Sequence, residues 1–277
     1  VNYSIYVNHM KVDYFPSPLH FHPEIEILLV LQGTGTCFVG DSVKCFAPGD
    51  LTMIGSNIPH VWYSDRIPDK EDAPASEAIY ILFDSEIFGS QFCNLPEMKV
   101  VKKVIDSSAR GIRFFGEAQR MLSILINEIS KSDGLNRISI LFNILNTIAL
   151  SNEHEYLSSP FYKNTIDKSD SDRLNRVYQY VITNFDREIS LDEIATIAIF
   201  STPSFCRYFK KRTNKTFIQF LNEIRIGNAC RLLIDNENYS ISDVCFSCGF
   251  YNISYFIKQF KKITGLTPLN YRRKFEP

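Results

Sequence analysis

Two segments in the last third of the chain repeat one another, and this repeat limits the possible folds more than any other feature. One segment begins at Ser190 and the other at Ser240. Their matches keep an offset of 50 residues at first and of 51 residues beyond the middle of the segment: Phe200 with Phe250, Phe205 with Phe256, Lys210-Lys211 with Lys261-Lys262, and Thr213 with Thr264. Chance agreement at this density is not expected, so the chain uses one structural unit twice.

Each copy begins with a helix start signal. Ser190 with Glu193, and Ser240 with Asp243, have the spacing of a capping box, in which two side chains satisfy the free N–H groups at a helix start. A short apolar helix, a turn and a longer helix with a basic end follow in both copies. This order is the pattern of a helix-turn-helix, and it predicts two such units at about 190–213 and 240–264.

Charge is divided unevenly along the chain. The net charge is -1, but residues 172–277 hold 16 Lys and Arg against 10 Asp and Glu, which leaves 14 against 21 in the remainder. A basic C-terminal part behind an acidic N-terminal part suggests that only one end contacts a polyanion. Chance unevenness remains the alternative on charge alone.

Residues 172–277 resemble the C-terminal DNA-binding domain of the AraC/XylS family of transcription regulators. The resemblance is carried by Ala195, Phe200-Ser201, Phe205, Arg207, Phe209-Lys210-Lys211, Phe220, Arg225, Ala229, Leu232-Leu233, Ile241, Gly249-Phe250, Ser254-Tyr255-Phe256, Phe260-Lys261-Lys262, Gly265, Thr267-Pro268 and Tyr271-Arg272. It implies double-stranded DNA as a partner, with the second helix of each unit in the major groove.

The candidate DNA-binding residues lie on these second helices. By position in the resemblance, the base-reading candidates are Thr202, Pro203, Cys206 and Arg207 in the first unit and Asn252, Ile253, Ser254, Ile257 and Lys258 in the second. Basic side chains suited to phosphate contact are Lys210, Lys211, Arg212, Lys261 and Lys262.

One position departs from the repeat. Gly249 stands in the second turn, where a positive φ is easy for glycine, whereas Ile199 holds the equivalent place in the first turn. A β-branched residue at positive φ is strained. We therefore expect either a different shape for the first turn or a different docking of the first unit.

The N-terminal part has other patterns. Residues 1–84 contain short runs of Ile, Leu, Val and Phe punctuated by Gly and Pro, which is typical of a sandwich or barrel. Residues 85–157 show helical periodicity, and their helices either cover the end of the β domain or form a dimer interface. Residues 158–171 are polar and lack periodicity, which predicts a linker.

A group of histidines and a carboxylate marks the β-rich part. His20 and His22 share one face of a strand, Glu26 follows at a spacing that can share it, and His60 lies after Pro48-Gly49-Asp50. Such a set can hold a divalent metal facially. Alternatively, these polar groups form a hydrogen-bonded pocket.

The spacing resembles the cupin barrel, a jelly roll that regulators of the AraC/XylS family often carry as a sensor. The resemblance implies metal ligands at His20, His22, Glu26 and His60 in enzymes, and a pocket without metal in regulators. We expect an effector pocket of these four residues with Trp62, and no cofactor or metal. Further aromatic residues belong either to its wall or to the core: Tyr63, Tyr80 and Phe83.

The sequence thus predicts a two-domain α+β protein with a cupin-like barrel, a helical segment, a linker and an all-α DNA-binding domain. The predicted function is sequence-specific regulation of transcription, by activation rather than repression, under a small effector such as a sugar. Expected partners are DNA, the effector, a second copy of the chain and, for an activator, RNA polymerase. The alternatives are a metal-dependent cupin enzyme with a DNA-binding tail and a constitutive DNA-binding scaffold.

The expected compartment is the cytoplasm. Apolar runs such as Ile27 to Leu31 are too short to span a membrane, and the 7 cysteines lack the regular spacing of a disulfide framework. The start at Val1 rather than Met is consistent with an incomplete native N-terminus.

Overall fold

The chain divides into two units, one β-rich and one helical. The computed structural model describes residues 4–15, 18–65, 76–160, 162–164, 166–235 and 238–275. The first unit comprises Val1–Ser42 and Phe46–Thr165, and the second comprises Val43–Cys45 and Ile166–Pro277. Two residues of the predicted linker, Phe161 and Thr165, lie outside the described residues.

The β-rich character of the N-terminal part is confirmed. The strands are β1 (Ile5–Val12), β2 (Ile25–Gln32), β3 (Gly35–Val39), β4 (Ser42–Phe46), β5 (Leu51–Ile54), β6 (His60–Ser64), β7 (Ser76–Phe83), β8 (Ile112–Phe114) and β9 (His154–Tyr156). They form a six-stranded sheet in the order β1-β7-β2-β5-β8-β9 and a three-stranded sheet in the order β4-β3-β6. Within the described ranges these sheets do not close into the predicted barrel.

The burial of β2 explains why two layers cover the large sheet. Ile25, Ile27 and Leu29 point into a core shared with helices, whereas Leu28 and Val30 point into a second core shared with the three-stranded sheet. Because both faces of the large sheet are covered, its strands bury their apolar side chains without curling into a barrel.

The segment predicted as helical contains four α-helices: α1 (Gly89–Cys93), α2 (Lys99–Ser108), α3 (Gly116–Ile129) and α4 (Gly134–Leu150). A 3-10 turn at Pro96–Met98 precedes α2. The same segment also supplies β8 and β9, which extend the large sheet and were not predicted. Three residues are too few to show the alternating pattern by which a strand is recognised.

The second unit is helical, as predicted. Its helices are α5 (Lys168–Asn184), α6 (Leu191–Ile197), α7 (Thr202–Thr213), α8 (Phe217–Asp235), α9 (Ile241–Ser247), α10 (Ile253–Thr264) and α11 (Pro268–Phe275). Both predicted capping boxes are present, at Ser190 with Glu193 and at Ser240 with Asp243. Because α5 begins at Lys168, the last residues of the predicted linker are helical. No helix of the described part combines the length and apolarity needed to cross a bilayer.

Helix α8 connects the two repeated helix pairs. Near its start, the ring of Phe220 lies 5.2 Å from that of Phe209 of α7. Further along, Ile226, Ala229 and Leu233 share a buried cluster with residues of α9 and α10. One continuous helix therefore packs against both pairs and fixes their spacing.

Candidate nucleic-acid interface and ligand site

The two helix pairs have turns of the same construction. Each turn makes three backbone hydrogen bonds, and those of the second turn repeat those of the first at an offset of 50 residues: Ala198, Ile199 and Phe200 donate to Ile194, Thr196 and Ala195, and Cys248, Gly249 and Phe250 donate to Val244, Phe246 and Cys245. The repeat seen in the sequence is thus a repeat of backbone geometry.

Ile199 adopts the glycine conformation. Its φ is 60°, against 73° for Gly249. Of the two alternatives left open by the sequence, a differently shaped first turn is therefore wrong. The Ile199 side chain is 75% exposed, so it avoids steric contact. A Cβ on Gly249 would instead lie 2.4 Å from the carbonyl oxygen of Phe185, so glycine is required there for space as well as for φ.

The outer face of α10 presents the predicted residues to solvent. Asn252, Ile253, Ser254, Ile257 and Lys258 are all exposed, as are Lys261 and Lys262 at the basic end. The Asn252 side chain accepts the N–H of Tyr255 at 2.8 Å, so its oxygen caps the helix and only its amide nitrogen remains available. The sequence reasoning missed one neighbour: Tyr251, in the turn before this face, is 69% exposed.

Helix α7 presents a sparser face. Pro203, Cys206, Arg207, Lys210 and Lys211 are exposed. The hydroxyl of Thr202 donates to the carboxylate of Asp192 in α6, which engages its one proton within the unit. The first face therefore depends on Arg207 and the Lys pair for its polar chemistry.

Arg212 differs from its predicted role. Its guanidinium lies 2.6 Å from the carboxylate of Asp170 in α5, and the two side chains are only 19% and 4% exposed. A guanidinium already paired with a buried carboxylate is poorly placed to contact phosphate. Arg212 instead joins α7 to α5.

In the first unit, His20, His22, Glu26 and His60 come together as the sequence suggested, and we call them the His/Glu cluster. One ligand atom from each lies within 4.8 Å of the others, and this grouping could hold a metal ion. Glu26 lies in β2 and His60 begins β6, so the cluster links the two sheets. A pair of backbone hydrogen bonds, of 3.2 and 2.9 Å, holds His20 beside His60.

Backbone carbonyls fix the orientation of all three imidazoles. The Nδ1 atoms of His20, His22 and His60 lie 2.9, 3.1 and 2.7 Å from carbonyl oxygens of Pro18, Glu24 and Ile58, respectively. A carbonyl oxygen only accepts, so each Nδ1 carries a proton. The Nε2 atoms are then the ones directed at the cluster.

Burial and the neighbouring charges lower the pKa of Glu26 and of His20 and raise the pKa of His22. Burial opposes ionisation of Glu26, but the neighbouring His60 and the hydrogen bond from His22 outweigh it and hold the pKa of the carboxyl far below its usual range. Burial also acts against protonation of His22, yet Glu26 raises its pKa overall, whereas burial and His60 lower the pKa of His20. The cluster thus contains an ionised, buried carboxylate.

The aromatic residues near the cluster belong mostly to the core. Trp62 is only 6% exposed and lies in the core between the sheets, with its ring centroid 5.6 Å from that of His60. Phe83 is buried in the helix-covered core, and Tyr80 packs against the core between the sheets. The ring of Trp62 packs against the imidazole of His60 from within the core.

Comparison with known proteins places the second unit in a described family. Residues 194–274 match a family described as "Helix-turn-helix domain". The chain is 24% identical over 260 residues to the uncharacterized HTH-type transcriptional regulator YdeC of Bacillus subtilis, covering 92% of this chain and 86% of the relative. It is also 24% identical over 269 residues to the HTH-type transcriptional activator RhaR of Mannheimia succiniciproducens, covering 94% and 88%.

Among solved structures, a probable AraC family transcriptional regulator from Rhodopseudomonas palustris aligns at 20% identity and a TM-score of 0.36, covering 38% of this chain and 99% of that one.

These matches and the exposed basic helices define a DNA-binding transcription regulator of the helix-turn-helix class. The helix-turn-helix domain lies within residues 172–277, where the sequence resemblance predicted it, and the chain is similar over most of its length to the two regulators named above. The two full-length relatives named above are described as regulators rather than as enzymes.

Proposed function

We propose that this regulator binds specific DNA sequences through both helix pairs, and that a ligand in the first unit controls the binding. The observation that carries the DNA-binding part is the pair of equivalent helices, α7 and α10, which expose their N-terminal faces and end in exposed Lys pairs. Side chains at the start of such a helix reach base edges in the major groove, while lysines near its end contact phosphates.

The two helices have unequal roles in this proposal. Helix α10 offers Ser254, Lys258 and the Asn252 amide for hydrogen bonds to bases, and Ile253 and Ile257 for contact with thymine methyl groups. Helix α7 offers mainly Arg207, which can bond guanine with two donors. We therefore assign most base selection to α10 and to Arg207.

Salt dependence of DNA binding tests the phosphate contacts. The DNA is obtained by selection from a random pool with the full chain. In the variant Lys261→Ala/Lys262→Ala the slope of log affinity against log salt should fall in magnitude by about 2, because two counterion-releasing contacts are lost. The matched control is Lys102→Ala/Lys103→Ala, an exposed Lys pair on α2 of the first unit, which should leave the slope unchanged. Equal slopes for both variants would contradict the proposed face.

We propose that the ligand binds at the His/Glu cluster. This cluster brings four polar side chains together, two of them buried, although packing of the apolar core does not need polar groups there. A sugar is one class to include in a ligand screen. Activation, and with it contact with RNA polymerase, is the expected mode.

A second copy of the chain is the expected partner of the helical layer. Helices α3 and α4 expose large apolar side chains that suit such an interface: Met121, Ile124, Leu135 and Leu150. Sedimentation of the full chain, with Ile124→Glu as the variant, tests this assignment.

A further inference from the structure

The two helix pairs contact one another at a corner of the chain as well as through α8. Gly249 stands in the turn before α10, and a Cβ there would lie 2.4 Å from the carbonyl oxygen of Phe185 and 2.8 Å from the carbonyl carbon of Asp186. Phe185 and Asp186 follow the end of α5 and lead toward α6. The turn of the second pair therefore lies directly against the segment that precedes the first pair.

Arg225 of α8 joins the same two places. Its Nε donates to the carbonyl oxygen of Phe185 at 2.8 Å, and its Nη2 donates to the carbonyl oxygen of Arg187 at 2.7 Å. The same guanidinium lies 5.5 Å from the ring centroid of Phe250, within the range of a cation–π interaction. One side chain thus contacts both the segment that enters α6 and the turn before α10.

Two further contacts extend this connection in both directions. The guanidinium of Arg187 lies 2.6 Å from the carboxylate of Glu193, which belongs to the capping box of α6. The side-chain amide of Asn222, three residues before Arg225 on α8, donates to the hydroxyl of Tyr255 in α10 at 2.8 Å. A continuous series of contacts therefore runs from the first helix of one pair to the second helix of the other.

The burial of Arg225 indicates a role beyond stability. The residue is 9% exposed, and its two hydrogen bonds go to neutral carbonyls rather than to a carboxylate. Removing a guanidinium from water is costly, and apolar residues of similar volume often replace buried charges without loss of stability. In some proteins buried charged groups are retained because they specify one arrangement of the packed elements.

We propose that Arg225 is a positioning residue that holds α7 and α10 in one mutual orientation and so sets the spacing of the two DNA segments that the regulator recognises. The DNA part of this inference rests on the proposed function, whereas the positioning of the helices does not. One base pair inserted between the segments moves the second segment by about 3.4 Å along the DNA and rotates it by about 35°. A rigid pair of helices cannot follow such a change, whereas a loosely connected pair can.

The first experiment measures the orientation of the helices without DNA. Nitroxide labels are attached to Cys206 in α7 and to Lys258→Cys in α10 of the full chain. Three substitutions first remove the half-buried thiols: Cys45→Ala, Cys93→Ala and Cys230→Ala. Double electron–electron resonance should give a narrow distribution of label distances in this background. The distribution should broaden when Arg225→Lys is added, because an ammonium lacks the planar fork that reaches two carbonyls at once.

The second experiment measures the effect of spacing on DNA binding by the full chain with its native cysteines. DNA selected from a random pool is compared with copies that carry one or two extra base pairs between the recognised segments. The wild type should lose affinity at least about 10-fold on insertion, because linked modules lose their mutual advantage when geometry prevents simultaneous binding. In Arg225→Lys the same insertions should weaken binding less than about 3-fold. A smaller folded fraction would lower the affinity for every DNA equally and leave these ratios unchanged.

Arg173→Lys is the matched control. Arg173 of α5 lies 5.4 Å from the ring of Phe200 in the first turn, so it repeats the contact of Arg225 with Phe250 within one helix pair. Its replacement should leave both the label distances and the dependence on spacing unchanged.

Asn222→Ala provides a second variant that does not depend on the folding of Arg225→Lys. It removes the contact with Tyr255 and should change both measurements in the same direction. Circular dichroism checks that each variant folds. Equal label distributions in the wild type and the folded variants, or equal ratios between the DNAs, would overturn the inference. If the wild type selects no specific DNA, the proposed function fails, and the label distances still decide whether Arg225 positions the helices.

Discussion

At the scale of the residue, Ile199 holds a conformation that its own repeat assigns to glycine. A left-handed conformation costs an L-residue about 1–2 kcal/mol, and the exposed Ile199 side chain recovers little of that by packing. Glycine loses more backbone entropy on folding, which offsets about half of the gain. We expect Ile199→Gly to raise the free energy of unfolding by about 0.5–1 kcal/mol, measured by urea denaturation.

Gly249→Ala is the matching change in the other turn and should act in the opposite direction. The added Cβ meets the Phe185 carbonyl oxygen and the backbone of Asp186, so the turn has to move. We expect a loss of about 2 kcal/mol or more, since steric overlap adds to the cost of the conformation. A loss of stability in Ile199→Gly would show instead that the isoleucine packs in a way that its exposure does not indicate.

At the scale of the element, the pair of Arg212 with Asp170 attaches α7 to α5. Removing one partner of a largely buried pair leaves the other charge unpaired, which costs about 3 kcal/mol. We therefore expect Arg212→Ala to lower stability by about that amount. Lys211→Ala, one residue earlier and exposed, should leave stability unchanged and weaken DNA binding. Thermal unfolding and fluorescence anisotropy with DNA distinguish the two effects, and wild-type stability of Arg212→Ala would refute the structural role.

The same elements show which features the sequence predicts. Helix starts were predictable because capping boxes are local, as at Ser190 and Ser240. The ion pair of Arg212 was not predictable, because the direction of the Arg212 side chain depends on Asp170 of α5, a helix far away in the sequence. Strand order was also hidden: β7 pairs with both β1 and β2, a long-range choice that no local pattern records. The His/Glu cluster was visible because three of its four members stand close together in the sequence. The expectation that His20 and His22 lie on a strand is wrong, since β2 begins only at Ile25 and His20 makes an isolated bridge to His60.

At the scale of the whole molecule, regulation requires that ligand binding in the first unit and DNA binding in the second share a coupling free energy. Such coupling is reciprocal. If a ligand of the first unit changes DNA affinity by some factor, DNA must change the affinity for that ligand by the same factor. A factor of 10 corresponds to about 1.4 kcal/mol, within the usual range for allosteric proteins.

Two titrations measure this equality. DNA affinity is determined by anisotropy with and without a sugar selected in the ligand screen, and the affinity for that sugar is determined by calorimetry with and without DNA. His20→Ala should abolish the effect of that sugar on DNA binding while keeping the DNA affinity of the ligand-free protein. A sugar that the screen does not select, at the same concentration, controls for effects of the added solute on DNA affinity. If His20→Ala responds to the sugar as the wild type does, the sugar acts elsewhere, and control of DNA binding by the His/Glu cluster is refuted.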